Sequence, residues 1–365
     1  MQIDFHHGVT YVASRLAGLN HHQAEIVAYS AQYVDDATNH GAVKFKNGAM
    51  YNRVSSAHKV LDYRNFDELA NHQVWIPFHF LPGNGGLAAG QNPEGSFVEK
   101  LICRPNSFVA QDMVAECIKR RHLPYSLHLL GITAHVFMDT WAHQGFAGVV
   151  HKVNRVEDIF DDEDKKDNHI WGRLKNFFGD QINDKASGFV SGVQPLGHGA
   201  ALSQPDKPFL KWSYKDGFGR TVIRDNPVDF IEAAEQLCRV IRRFIAGDSQ
   251  ADVKGLPDTD KDKIETLIRN LKMEDGDERH VKWLEAIENG EFSFGAEELS
   301  YVAKGEDSWK HVAIGTVREK DIESEEFDYK PEFLQSNWKH FHDALQLHRY
   351  YVIHDILPRY DISVA

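Results

Sequence analysis

The chain has 365 residues, 42% apolar and 26% charged, which is globular composition and excludes a disordered, collagenous or fibrous protein. A formal charge of −13 argues against a duplex-DNA wrapper, which needs clustered Lys and Arg, and three cysteines (Cys103, Cys117, Cys238) are too few for a disulfide framework. The unusual count is 21 histidines against 5 methionines, and His is the commonest metal ligand, so the placement of the histidines becomes the question.

The start, MQIDFHHGVTYVASRLAG, lacks the basic and apolar regions of a signal peptide, and no stretch approaches ~20 apolar residues. A cytoplasmic location is the expectation, with export by a signal-independent machine as the alternative. Val9, Val12, Ala13 and Leu16 form a helical stripe over His6 to Ala17, and Gly18 is a stop. Asn20 with Gln23 reads as a capping box opening a helix to about Asn39, with Ala24, Val27, Ala28, Ala31 and Val34 inward. Residues 75–97 read as a Pro/Gly-rich loop and 108–120 as a helix. A long apolar helix is predicted from about Pro124 to His143, with Gly145 past its end. Residues 156–168 are an acidic run, and 183–225, rich in Gly, Pro, Asp and Ser, read as a long structured loop.

Asn226-Pro227 opens a strongly amphipathic helix ended by Gly247. Shorter helices are expected over 262–272, 278–288 and 296–303, and Pro331 opens a last long helix to about Ile356. Strand-type alternation is scarce. The expectation is an all-α protein: a helical domain over 1–250, and a C-terminal helical extension over 251–365 packed on it or continuous with it.

The strongest chemical signal is GITAHVFMDTWAHQGFAG. His135, Asp139 and His143 are spaced i, i+4, i+8, so each lies only about 40° round the helix from the last and all share one face. The surrounding residues are apolar, so this helix is expected to be buried. A buried Asp between two histidines is costly unless a metal or a complete hydrogen-bond network accounts for it. At the N-terminus, Asp4 and His6 converge on a metal or merely begin a helix. Asp35 lies on the apolar stripe of its helix as a candidate ligand or general base, with Asp36, about 100° away, as its runner-up. His79, framed by aromatic residues and prolines, is a ligand or a packed core His. His198 lies between two glycines, with Asp206 eight residues on; both are ligand candidates or parts of an ordinary loop. Asp258, Asp260 and Asp262 resemble a calcium loop, but Lys263 and Arg269 occupy its Gly and Glu positions, which excludes an EF-hand.

With these residues in place, the chain resembles the zinc-dependent phospholipase C and single-strand-specific nuclease superfamily. The element that carries the resemblance is His135-Val-Phe-Met-Asp139, which matches that superfamily's H-x3-D helix. The DFHHGVTYVASRLAG, AQYVDD and AHVFMDTWAHQGFAG segments resemble an uncharacterised bacterial family related to it. The resemblance implies a mostly helical fold with a cleft holding two or three zinc ions. It implies Asp139 as a bridging ligand and His6, His79, His135, His143 and His198 as nitrogen ligands. Asp35 or Asp36 would be the base that orients or activates water. Asp4 would stand in for the superfamily's N-terminal amine, and Asp206 would take the part of its late carboxylate unless one metal is missing. The expected activity is hydrolysis of a phosphodiester, with a phospholipid as the first substrate. The alternatives are a nuclease or nucleotidase using Trp75, Trp141 or Trp212 to stack bases, a metal-stabilised interaction protein without turnover, and a delivered antibacterial toxin with an immunity-protein partner.

Overall fold

The computed structural model describes residues 1–57, 68–161, 201, 203–319, 322 and 324–364. The N-terminal turn is a π-helix, Asp4–Val9, running directly into α1 (Thr10–Ala17). Gly18 ends α1 in the left-handed region, at φ 115°, where a side chain would be strained. Helix α2 (His21–Asp36) starts on the capping box of Asn20 and Gln23. Helices α3 (Glu68–Phe78), α4 (Val98–Leu101), α5 (Phe108–Lys119) and α6 (Ser126–Ala142) follow. The second half carries α7 (Asn226–Ala246), α8 (Asp258–Asn270), α9 (Gly276–Glu288), α10 (Trp309–Ile314) and α11 (Asn337–Tyr350). A second π-helical turn, Tyr351–Ile356, extends α11.

The fold is mixed rather than all-α, because the described residues include two three-stranded sheets. Strands β1 (Gly41–Phe45) and β2 (Met50–Arg53) form an antiparallel hairpin in which Val43 pairs with Tyr51, and β6 (Glu326–Phe327) joins β1 in parallel. The hairpin turns at Asn47-Gly48, a dipeptide suited to tight turns, with Gly48 at φ 87°. The second sheet is an antiparallel meander of β3 (Val156–Asp161), β4 (Lys211–Asp216) and β5 (Thr221–Asp225). Composition misleads here. The Gly- and Asp-rich stretch expected as loop contains KWSYKD, whose Trp212, Tyr214 and Asp216 alternate inward while Lys211 and Lys215 face out. Residues 296–303 form no helix, and Asp258, Asp260 and Asp262, whose calcium-loop reading the sequence excluded, lie in the first turns of α8.

Helix α6 is the axis of the molecule, buried from His128 to Ala142 and packed by α2, α3, α5, α7 and α11. One hydrophobic core joins Phe5, Val27, Leu130 and Phe137 to Trp283, Phe341 and Val352, so residues on both sides of position 250 share it. A smaller core of Phe80, Phe146, Ile159, Trp212 and Tyr214 lies under the second sheet. Helices α2 and α6 cross in very close contact at Gly131. A Cβ there would overlap the Val27 carbonyl oxygen and lie 2.5 Å from the Ser30 Cβ. This contact brings the last turns of α2 beside the His135–Asp139 face of α6. Among the described residues, no helix is long and apolar enough to cross a membrane.

Candidate metal centre

Asp139 is the hub. It is 1% exposed, in the middle of the apolar helix, and its two oxygens face different partners. Oδ1 lies 3.2 Å from His6 Nε2 and 2.7 Å from the α-amine of residue 1. Oδ2 lies 3.2 Å from His135 Nε2, 3.5 Å from His79 Nδ1 and 3.7 Å from His143 Nδ1. Asp206 closes a third edge, with Oδ1 3.2 Å from the same amine and 3.4 Å from His143 Nε2. Asp35 Oδ1 stands 3.8 Å from both His79 Nδ1 and His135 Nε2, and at 35% its side chain is far more exposed than those of the other residues around Asp139. Two sets therefore bring three ligand atoms together: His6, His135 and Asp139, and Asp35, His79 and His135.

Three backbone carbonyls set the orientation of the rings. His135 Nδ1 is 2.8 Å from the Ala31 carbonyl, His79 Nε2 is 2.9 Å from that of Ser56, and His143 Nδ1 is 2.7 Å from that of His79. A carbonyl only accepts, so in each ring that nitrogen carries a proton, and in the neutral ring that binds a cation the other presents a lone pair. For His79 and His135 that lone pair points at Asp139, and for His143 it points at Asp206. This is the support that metal-ligating histidines use. His6 lies over His135 with ring centroids 3.8 Å apart, and neither of its nitrogens has a hydrogen-bond partner although the residue is fully buried. Asp139 Oδ2 likewise lacks a hydrogen-bond donor. Burying such groups without partners is unfavourable, and a cation in their midst removes the penalty. The donor set of imidazole nitrogens and carboxylate oxygens suits zinc and similar divalent cations.

Burial lowers the His79 pKa less than Asp139 and Asp35 raise it, so without a cation that ring favours the protonated form, while the groups nearest Asp139 Oδ1 favour ligation. Burial would raise the Asp139 pKa, but His143, the residue-1 amine, His135 and His6 outweigh it and hold the carboxyl well below the usual carboxylate range. Burial, then the neighbouring His135, lowers the His6 pKa well below that of a free imidazole, so both favour a neutral ring able to ligate. Burial lowers the amine's pKa less than Asp139, Asp206 and Asp35 raise it, taking it to about 11. The two buried carboxylates thus already gather positive charge.

Scanned against known families, the chain matches a family of unknown function (DUF6765) over residues 1–356. It belongs to that family. No curated protein and no solved structure matches the chain. In this DUF6765 chain, His6, His79, His135, Asp139, His143, Asp206 and Asp35 come together around one centre.

The remaining predicted residues fall elsewhere. His198 lies outside the described residues, as do residues 162–168 of the acidic run and 183–200 of the loop expected over 183–225. Asp4 is turned away from the cluster, because Arg279 Nε binds its Oδ2 at 2.6 Å. Asp36, about 100° round α2 from Asp35, is turned away from the cluster and accepts from Tyr301 at 2.6 Å and from Gln32 at 3.3 Å. Of the tryptophans considered for base stacking, Trp141 and Trp212 are closed in the cores at 1% and 2% exposure, while Trp75 packs beside His79. The supporting carbonyls of Ala31, Ser56 and His79 left no trace in the sequence, since a carbonyl has no residue identity. Arg279 and Arg224 could have been noticed only as cations on otherwise apolar helix and strand faces.

Proposed function

We propose that this chain is a metal-dependent hydrolase of phosphodiesters that holds two zinc-like cations on either side of Asp139. The observation that carries the proposal is the set of three histidines that each give one ring nitrogen to a backbone carbonyl and turn the other inward. His6 and Asp139 Oδ1 would hold one cation, with Asp206 and His143 at its edge. His79, His135 and Asp139 Oδ2 would hold the other. Such cations, when bound, lower the pKa of water and stabilise the charge that develops on phosphorus during in-line attack.

The residues of the chain divide the remaining work. Asp35 combines contact with the histidines and access to solvent, so it is the group to orient an attacking water and accept its proton. Phe80, stacked on His143 at 4.5 Å, and Trp75 beside His79 shield the histidine side of the cluster from water, which strengthens every charge interaction within it. An acidic chain repels polyanions and accepts a zwitterionic head group, which favours a phospholipid over long nucleic acid.

The test is a hydrolysis screen of zinc-loaded and chelated protein against short-chain phosphatidylcholine, single-stranded DNA and bis-p-nitrophenyl phosphate. Turnover at the phosphodiester that zinc restores after chelation supports the proposal, and the preferred substrate decides between a phospholipase C and a nuclease. Stoichiometric metal without turnover of any of the three refutes the hydrolase and favours a metal-stabilised interaction protein.

A further inference from the structure

Helix α9 lies far along the chain from the metal centre, yet it runs alongside the N-terminal π-turn and touches it at each step. A Cβ on Gly276 would lie 2.8 Å from Gln2 Oε1 and 2.9 Å from its Cβ. Arg279 is fully buried: its Nε binds Asp4 Oδ2 at 2.6 Å, and its Nη2 reaches Asp4 Oδ1 at 3.4 Å and also binds Gln2 Oε1. Its Nη1 binds the Met273 and Glu274 carbonyls at 2.5 and 3.2 Å, so the guanidinium is itself held from behind. His280 Nε2 lies 2.9 Å from His7 Nδ1. A Cβ on Gly8 would lie 2.9 Å from the Trp283 Cβ, so Trp283 packs directly on the turn. Positions 276, 280 and 283 are one helical stripe, with Arg279 at its flank. The residues gripped, at 2, 4, 7 and 8, bracket His6 on both sides.

We propose that α9 is a positioning element of the metal centre, and that Arg279, acting through Asp4, fixes His6 against Asp139. The reasoning is geometric. His6 reaches the cluster from a π-helical turn, an uncommon form that is frequent at functional sites. No hydrogen bond from its own ring holds it. The ring stacks on His135 and approaches Asp139, so what remains to be set is the backbone that delivers it, and Asp4 is the neighbour in that turn with a buried bidentate tether. Histidines 79 and 135 are oriented instead by hydrogen bonds to the carbonyls of Ser56 and Ala31, on elements other than α9. The function of the C-terminal third thus includes holding one half of the centre, and loss of the tether acts on one cation and not the other.

This inference rests on the metal-centre reading, and the experiment separates the two. Cobalt titration, followed by its visible absorption and by competition with a chelator of known affinity, is run on the unaltered chain, Arg279→Met, Arg279→Lys and Gly8→Ala. Circular dichroism checks the fold of each. The expected result is two ions on the unaltered chain. In Arg279→Met and Gly8→Ala, affinity for one ion falls by about 10–100-fold, the usual effect of losing an outer-shell partner, while the other is unchanged. Arg279→Lys recovers part of the loss. If Arg279→Met does not fold, Arg279→Lys tests the tether and Gly8→Ala tests the packing of the turn on Trp283. Two ions held with unchanged affinity in the folded variants, or equal weakening of both, overturns the positioning role alone. No ion on the unaltered chain overturns the metal centre and this inference with it.

Discussion

Replacing Gly131 with Ala tests the contact on which the centre is built. By helix propensity alone the change stabilises by about 1 kcal/mol, because Gly131 lies inside α6. The added Cβ, however, overlaps the Val27 carbonyl oxygen and stands 2.5 Å from the Ser30 Cβ and 3.1 Å from the Ala31 nitrogen. Two of these three atoms are backbone and cannot rotate away, so α2 must withdraw by roughly 1 Å to reach ordinary contact distance. Overpacking of this kind costs about 1–3 kcal/mol. The withdrawal also stretches the 2.8 Å bond from His135 Nδ1 to the Ala31 carbonyl, which is worth about 1 kcal/mol. The net expectation is a loss of about 1–3 kcal/mol with weaker metal binding, because Asp35 and the Ala31 carbonyl both ride on α2. Urea denaturation with excess chelator gives the stability term, and metal content of the folded variant gives the other. A variant as stable as the unaltered chain, or more so, would refute the argument, since propensity would then have outweighed a clash judged to be larger.

Other expectations follow from single residues. Arg224 is 3% exposed and donates to the carbonyls of Trp141 and Ala142, at the end of α6, and of Gln144, while pairing with Asp229. Arg224→Met should cost roughly 3 kcal/mol in a urea titration, because it strands acceptors and a partly buried carboxylate together; a cost under about 1 kcal/mol would show that water satisfies them. Burial lowers the pKa of His128 and His348 to about 3 and that of His280 to about 4. The unfolded chain binds these protons first, so stability is full above the ordinary value of about 6.5 and falls below it. Each histidine contributes a slope on the order of 1.4 kcal/mol per pH unit until its folded pKa is reached. Chelated His348→Gln protein should show a shallower fall between pH 6.5 and 4 than the unaltered chain, and parallel curves would contradict the assignment. Asp35→Asn should lower hydrolysis by about 100-fold or more, whereas Asp36→Asn should leave kcat within about threefold; the reverse order would place the base on the other face of α2.

What the sequence made legible was the part written in side-chain spacing. The i, i+4, i+8 pattern placed His135, Asp139 and His143 on one buried face, and Asp35 rather than Asp36 turned inward with Val27 and Ala31. The Asn20–Gln23 box and the glycines 18, 145 and 247 marked boundaries that involve only neighbouring residues. The strands were hidden because their alternation is short and set among turn-forming residues, so composition outweighed period. Asp4 was misplaced because its partner, Arg279, is 275 residues away, and no local pattern records a contact of that range. The same holds for the orienting carbonyls, which depend on how closely α2 and α6 approach at Gly131.

The most direct measurement is metal content by mass spectrometry on untagged protein, with the unaltered chain and Asp139→Ala prepared side by side. The account predicts two zinc-like ions per unaltered chain and none retained in stoichiometric amount by the variant, since Asp139 supplies one oxygen to each side of the cluster. An unaltered chain that takes up no stoichiometric metal, even after refolding with zinc, would contradict the account and leave the histidines and carboxylates as a hydrogen-bonded core.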